Sequence, residues 1–235
     1  MSSQQLTISA EGLRHLKQME GSIPYVYDDG DGTWPKRRIT SYNTKGHPTI
    51  GVGHLITKDQ RERFRKYLGT GRDMPDSEIL ALLRYDVDRF ERTIRPKIKV
   101  PITQSMWDAL ILQAFNTGAN TRAIKTSVAR INAKDWKGAQ AALASGYTTS
   151  KGKRLQALVK RRAEEASIFL SDGIPEFAKK AIKRSKAAIR RGRRKHLRKL
   201  SKYRRRQIIL GAGAVVFASI FVFALRARLA QNKGR

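Results

Sequence analysis

Glu20-Gly21-Ser22-Ile23-Pro24-Tyr25-Val26-Tyr27-Asp28-Asp29 is the stretch on which the fold turns. Before it, Ile8, Leu13, Leu16 and Met19 recur at helical spacing after Ser9, so Glu20-Gly21 closes a short opening helix. Beyond it, the chain to Gly53 is rich in Gly, Pro, Asp, Tyr and Thr, the composition of short strands and turns. That region ends in Thr49-Ile50-Gly51-Val52-Gly53-His54. Eight residues separate Glu20 from Asp29, and Thr49 lies 20 positions beyond Asp29. Two carboxyls and a hydroxyl beside a β turn are parts that glycoside hydrolysis uses. One carboxyl protonates the leaving oxygen; the other, ionised, activates water or stabilises an oxocarbenium-like transition state. A Glu packed on apolar residues at a helix end is a carboxyl that desolvation can keep protonated, whereas an Asp in a polar loop stays ionised. By residue type alone, acid pairs in loops are more often turn formers and surface charges.

Helices follow this region. Thr57-x-x-Gln60 is a capping-box pattern that predicts a helix over 58–68. Ile79, Leu82, Leu83, Val87, Phe90 and Ile94 form an apolar stripe ending at Pro96. Residues 103–116 carry Trp107, Leu110, Ala114 and Phe115 and stop at Gly118; residues 155–170 carry Leu158, Ala166 and Phe169. One small β region beside many helices is an α+β fold.

Order and spacing sharpen the functional reading. Glu20-Gly21, Tyr27-x-Asp29 and Thr49-Ile50-Gly51-x-Gly53-His54 resemble the phage-type lysozymes of the T4 endolysin class, glycoside hydrolase family 24. The similarity continues in Gln104-x-x-Trp107-Asp108-Ala109-Leu110, Phe115-Asn116-x-Gly118, residues 127–132 and Leu158-x-x-Arg161-Arg162-x-x-Glu165, and covers roughly residues 8–172. The resemblance implies a two-lobe lysozyme-like domain, a small β region plus a helical lobe, with a cleft for peptidoglycan. It also implies cleavage of the β-1,4 bond between N-acetylmuramic acid and N-acetylglucosamine, with inversion favoured. Carried over, Glu20 is the general acid, Asp29 orients or activates water, and the Thr49 hydroxyl helps hold that water. His54 is implied to be structural, and Leu55, Phe115 and Ser127 to line the cleft. Glu11-Gly12 repeats the Glu-Gly pair but lacks a Tyr-x-Asp at the right distance. Family spacing selects Asp29 over Asp28 and Asp31. The segment from Gly30 to Gly46 is an insertion in the catalytic lobe. One reading makes it a hairpin extending the cleft wall, with Trp34 and Tyr42 stacking on sugars; the other makes it a tolerated surface insertion.

The chain of 235 residues has 49 Lys+Arg against 19 Asp+Glu, a formal charge of +30. That balance excludes an ordinary neutral enzyme and implies anionic partners: nucleic acid, acidic lipid, lipopolysaccharide or acidic wall polymer. A hydrophobic fraction of 40% excludes wholesale disorder. Cysteine is absent, so no disulfide framework, Cys-ligated zinc or thiol nucleophile exists. The histidines at 15, 47, 54 and 196 are dispersed, the family needs no metal, and no cofactor is expected.

The excess charge is concentrated in the last quarter. Between Lys179 and Arg206 there are 16 Lys/Arg and no acid, while Ile174, Phe177, Ile182, Ile189, Leu197, Leu200 and Tyr203 track one stripe. Residues 174–206 are therefore expected to form a cationic amphipathic helix, interrupted at Gly192, that binds anionic lipid or the phosphates of phage DNA. Ile208 to Leu225 is an uncharged run of 18 residues, about 27 Å as a helix, between Arg206 and Arg226. The expected organisation is a muramidase domain over 1–173, the basic helix over 174–206, a transmembrane helix over 207–226 and a short polar tail over 227–235. No signal peptide is visible at the N-terminus. The denser basic flank precedes the span, so the positive-inside rule places the body in the cytoplasm, at the host inner membrane or in a virion membrane. Peptidoglycan lies on the other side. A holin lesion, action from a phage particle with virion proteins during genome entry, or membrane disturbance by the basic helix would each resolve that conflict. Two other functions fit the tail: a structural virion membrane protein with an inactive lysozyme fold, and a membrane-disrupting or nucleic-acid-binding protein.

Overall fold

Ser9 stands in extended conformation, and its side chain accepts from the Gly12 N–H, opening α1 (Ala10–Glu20). This computed structural model describes residues 6–194 except 70, 151, 181, 182, 185 and 188. By its contacts the chain divides into one unit of residues 1–179 and a second of 180–235.

Gly21, at φ 75°, ends α1 in the left-handed region that favours glycine. The chain then enters a three-stranded antiparallel sheet, β1 (Ile23–Asp28), β2 (Pro48–Gly51) and β3 (His54–Leu55), in that order. Tyr27 pairs with Thr49, and Thr49 pairs in turn with Leu55. Residues 30–46 connect β1 to β2 without strands of their own; Arg38 makes one isolated bridge to Tyr27. Of the two readings of this insertion, the hairpin is not formed, and the segment is an irregular loop. Its register is set by side chains: both ends are pinned by Asp28, and Arg38 leaves it for the Tyr67 and Arg72 carbonyls and the Asp73 carboxylate.

The helix expected over 58–68 is broken into a 3-10 turn (Lys58–Gln60), a single α turn, α2 (Arg61–Phe64), and a second 3-10 turn (Arg65–Tyr67). The Gln60 side-chain oxygen still reaches back to accept from the Thr57 N–H at 3.1 Å. α3 (Asp76–Ile94) buries Ile79, Leu82, Leu83, Val87 and Ile94, the stripe read from the sequence, and Pro96 falls in the 3-10 turn that follows. α4 (Gln104–Thr117) runs through the core, with residues 105–114 all buried, and ends at Gly118. α5 (Arg122–Asn132), α6 (Trp136–Ser145), a short hairpin of β4 (Thr149–Ser150) and β5 (Lys153–Arg154), and α7 (Gln156–Phe169) complete the first unit. α6, capped by Asp135, was not singled out in the sequence because Gly138 and four alanines give it little apolar contrast.

Buried Glu91 ties three elements together. Its Oε1 accepts from the Ile8 N–H at 2.5 Å and from Trp107 Nε1 at 3.2 Å, and its Oε2 lies 3.5 Å from the Arg95 guanidinium. The chain entering α1 is thereby fixed to α3 and α4, which sets where α1 delivers Glu20.

In the second unit the described residues 180, 183–184, 186–187 and 189–194 are helical, and all but Ala187 are exposed. The rest of the expected basic helix, 195–206, and the expected transmembrane helix, 207–226, lie outside the described residues. Among the described residues no helix is long and apolar enough to cross a membrane.

Candidate active site

Glu20 is the last residue of α1, with its side chain 25% exposed. Its Oε1 accepts a hydrogen bond from Nη2 of Arg161 on α7. The Arg161 Nε donates in turn to Oε1 of Glu165 at 3.2 Å. Glu165 is fully buried, with Nη1 of Arg162, also fully buried, 3.0 Å from its Oε2. Arg162 continues to Oδ1 of Asn116 on α4 at 2.7 Å. Burial pushes the Glu165 carboxyl up to about 7, against the pull of the two guanidinium groups. Burial also lowers the Arg162 value, while the pairing of Arg161 with Glu20 and Glu165 raises its own above normal in spite of burial. For Glu165 itself burial outweighs pairing, because its Oε2 has no aligned hydrogen-bond donor. The sequence had placed Arg161, Arg162 and Glu165 only in a later helix; their spacing of three and four positions was the available signal of an inward-facing charge cluster.

Asp29 and Thr49 meet at His47. The Asp29 Oδ1 accepts from the His47 N–H at 2.5 Å, and the Thr49 hydroxyl donates to the His47 carbonyl at 3.0 Å. Asp29 is exposed, whereas Thr49 is 4% exposed at the middle of the sheet. The neighbouring acids are committed elsewhere. Asp28 is buried and accepts three backbone N–H groups, from Gly30 at 2.9 Å, Gly46 at 3.0 Å and Lys45 at 3.0 Å. Asp31 is held below the usual carboxylate range chiefly by the Thr33 side chain and also by the Thr33 N–H, and it lies 3.6 Å from Arg37. Glu11 is an exposed partner of Arg14. Of these acids, Asp29 alone combines an exposed carboxylate with a neighbouring hydroxyl bonded to the same backbone unit.

His54 is buried between lobe elements, with Nδ1 2.8 Å from Asp86 on α3 and Nε2 3.1 Å from Gln60. This fastens β3 to α3 behind Thr49. Among the described residues no cluster of His, Asp or Glu is arranged to hold a metal ion.

The profile of the family described as phage lysozyme matches residues 17–165. The chain belongs to the phage lysozyme family. The endolysin of Salmonella phage P22 is 29% identical over 166 residues, covering 71% of this chain and 99% of its own. A crystal structure of a P22 lysozyme mutant matches with a TM-score of 0.56 at 28% identity, over 71% of this chain and 100% of that one. An endolysin from Escherichia coli O157:H7 phage FAHEc1 gives 0.52 at 29%, over 73% and 98%. Family and fold make this chain a glycoside hydrolase, a phage peptidoglycan hydrolase of lysozyme type with a lysozyme-like α+β domain.

The remaining expected contacts fall into distinct environments in this lysozyme. Leu55 is 47% exposed on β3, beside Thr49 in the register. Phe115 is partly buried and packs on Phe90, ring centroids 5.5 Å apart. Ser127 is completely buried, and its hydroxyl donates to the Ala139 carbonyl at 3.3 Å. That bond fastens α5 to α6 and leaves the side chain no exposed surface for a sugar. Tyr42 is committed too: its hydroxyl donates to the Arg61 carbonyl at 2.7 Å, and the Arg61 guanidinium sits 5.2 Å over its ring. Trp34 is 80% exposed. Two residues on, Lys36 donates from Nζ to the Asp29 carbonyl at 3.2 Å and also to the Asp31 carbonyl. A cavity of about 620 Å³ lies between the end of β1 and this loop, lined by Asp28, Asp31, Arg37 and Lys45 among others. Asp28, which pins both ends of the insertion, and Lys36, which binds it to the Asp29 carbonyl, carry no sequence signal of that role.

Proposed function

We propose that this lysozyme is a membrane-anchored muramidase that cleaves the β-1,4 bond between N-acetylmuramic acid and N-acetylglucosamine. Glu20 gives its proton to the leaving oxygen, and Asp29 orients and activates the attacking water with help from the Thr49 hydroxyl. The observation that carries this reading is the shared attachment of Asp29 and Thr49 to the His47 backbone, the carboxylate on its N–H and the hydroxyl on its carbonyl. Leu55, Phe115 and the exposed Trp34 are the sugar contacts this reading retains.

The anchor rests on sequence: the uncharged run from Ile208 to Leu225, with 16 basic residues and no acid from Lys179 to Arg206 before it. This assigns the body to the cytoplasmic face until a membrane lesion gives it access to the wall. The test is clearing of purified peptidoglycan by the full chain in detergent, with Glu20→Gln alongside and products typed by mass and reducing ends. Clearing by the parent, loss in Glu20→Gln and new muramic acid reducing ends are expected. Equal clearing by both proteins would overturn the assignment of Glu20. Carbonate-washed membranes are expected to retain the full chain and to release one ending at residue 206; retention of both would refute the anchor.

A further inference from the structure

Glu20 heads a line of four charges whose last two members have no contact with solvent. Glu20 is held by Arg161, Arg161 by Glu165, and Glu165 stands against Arg162. Side-chain exposure falls along the line from 25% at Glu20 to 13% at Arg161 and to 0% at Glu165 and Arg162. The line joins α1, α7 and, through Asn116, α4. Two cations and two carboxylates balance only while both acids are ionised. A catalytic acid needs just its own terminal contact with Arg161. The buried half has a further consequence, because Arg161 divides one guanidinium between two carboxylates: Nη2 faces Glu20 and Nε faces Glu165.

We infer that Glu165 is a positioning residue for the general acid: by competing for Arg161 it decides how strongly that guanidinium holds Glu20. With Glu165 ionised, Arg161 and Arg162 are partly neutralised from behind. With a proton on Glu165, both guanidinium charges act on Glu20 in a medium that screens them poorly. Retention of the proton on Glu20 then becomes harder, and proton donation to the glycosidic oxygen fails at lower pH. The charged groups facing Glu165 are Arg161 and Arg162 on its own helix and Glu20 from α1. Burial places the Glu165 titration in the neutral range, so the competition changes within the pH span in which a wall hydrolase works. Glu165 touches no substrate in this scheme and acts only through Arg161.

The inference rests on Glu20 being the acid, and the test keeps the two apart. The first arm needs no mutation: full chain in detergent, labelled with ¹³C at the glutamate carboxyls, is titrated by NMR. Coupling predicts two inflections for the Glu20 resonance, one coinciding with the titration of Glu165. A single Glu20 inflection with no step where Glu165 titrates would overturn the inference, whatever Glu20→Gln does to activity. In the second arm, Glu165→Gln keeps an acceptor for the Arg161 Nε and removes the charge. Its kcat/KM profile should lose its alkaline limb about one pH unit earlier than the parent. The double variant Glu165→Gln, Arg162→Gln restores the net charge around Glu20 and should move the limb back toward the parent. A merely structural role would lower activity at all pH values without moving the limb, and superimposable profiles would reject the proposal.

Discussion

Asp29 and Thr49, 20 positions apart in sequence, are bonded to opposite ends of the same residue, His47: one takes its N–H and the other gives to its carbonyl. This places the two groups by backbone geometry, independent of long flexible side chains. On the proposed mechanism, Asp29→Asn removes the carboxylate that activates water while leaving an acceptor for the His47 N–H. A loss of about 100-fold in kcat with an unchanged thermal midpoint is expected from steady-state kinetics and melting.

Asp28, one residue earlier, should behave in the opposite way. Its two oxygens accept three backbone N–H groups at the base of the loop. Asp28→Asn turns one acceptor into a donor facing another donor, at a cost of about 1–3 kcal/mol in folding. Denaturant unfolding should show that loss. Activity measured well below the midpoint should fall far less than in Asp29→Asn.

Gly30 and Gly46 pass each other with no room for a side chain. A Cβ on Gly30 would lie 2.7 Å from the Gly46 backbone, and one on Gly46 would collide with the Asp29 Oδ1 and the Gly30 backbone. Gly46→Ala should therefore displace the Asp29 carboxylate. Kinetics should show a drop in kcat of at least about tenfold, with KM for wall fragments little changed. A parent-like kcat would show that the neck yields without moving Asp29.

Glu165 makes the pH dependence of stability specific. Its carboxyl titrates near 7 in the folded chain, above the ordinary glutamate value of 4.5. The folded state therefore binds more protons than the unfolded state between those values, and stability falls as pH rises from about 4.5 to about 7. Thermal midpoints across that window should decline in the parent, and Glu165→Gln should flatten the decline.

Trp34 has no burial to lose. If it stacks on a sugar ring, Trp34→Ala should raise KM for glycan strands by about threefold or more with the thermal midpoint unchanged. Tyr42→Phe, by contrast, deletes the hydroxyl bond to the Arg61 carbonyl and should register in stability first.

The elements with strong periodicity were legible in the sequence. The α3 stripe, the helix that opens after Ser9 and the Gly118 stop all follow from local chemistry, and each stands where the residues put it. The run over 58–68 was legible as helical but not as broken: a capping box announces a start and says nothing of how far five nearby cations let the turn propagate. The Glu20, Asp29 and Thr49 set was drawn from motif order and spacing, and the structure brings two of its members, Asp29 and Thr49, to the one residue His47. Arg161 and Glu165 were not, since their proximity to Glu20 depends on α7 packing back across more than 140 residues. The burial of Ser127 was hidden for the same reason: a small hydroxyl looks alike on a cleft wall and between two helices.

The glycine-lined neck closed by Asp28 separates two histories within one lobe. Everything the loop between Gly30 and Gly46 presents to the outside hangs from a clasp of backbone bonds, and β1 and β2 meet on the inner side of that clasp. Substitutions at Trp34, Arg37 or Asn43, outside the clasp, should change the exposed face of the loop and leave the pairing of β1 with β2 as it is. A lineage infecting new hosts can revise that face while handing down its chemistry intact.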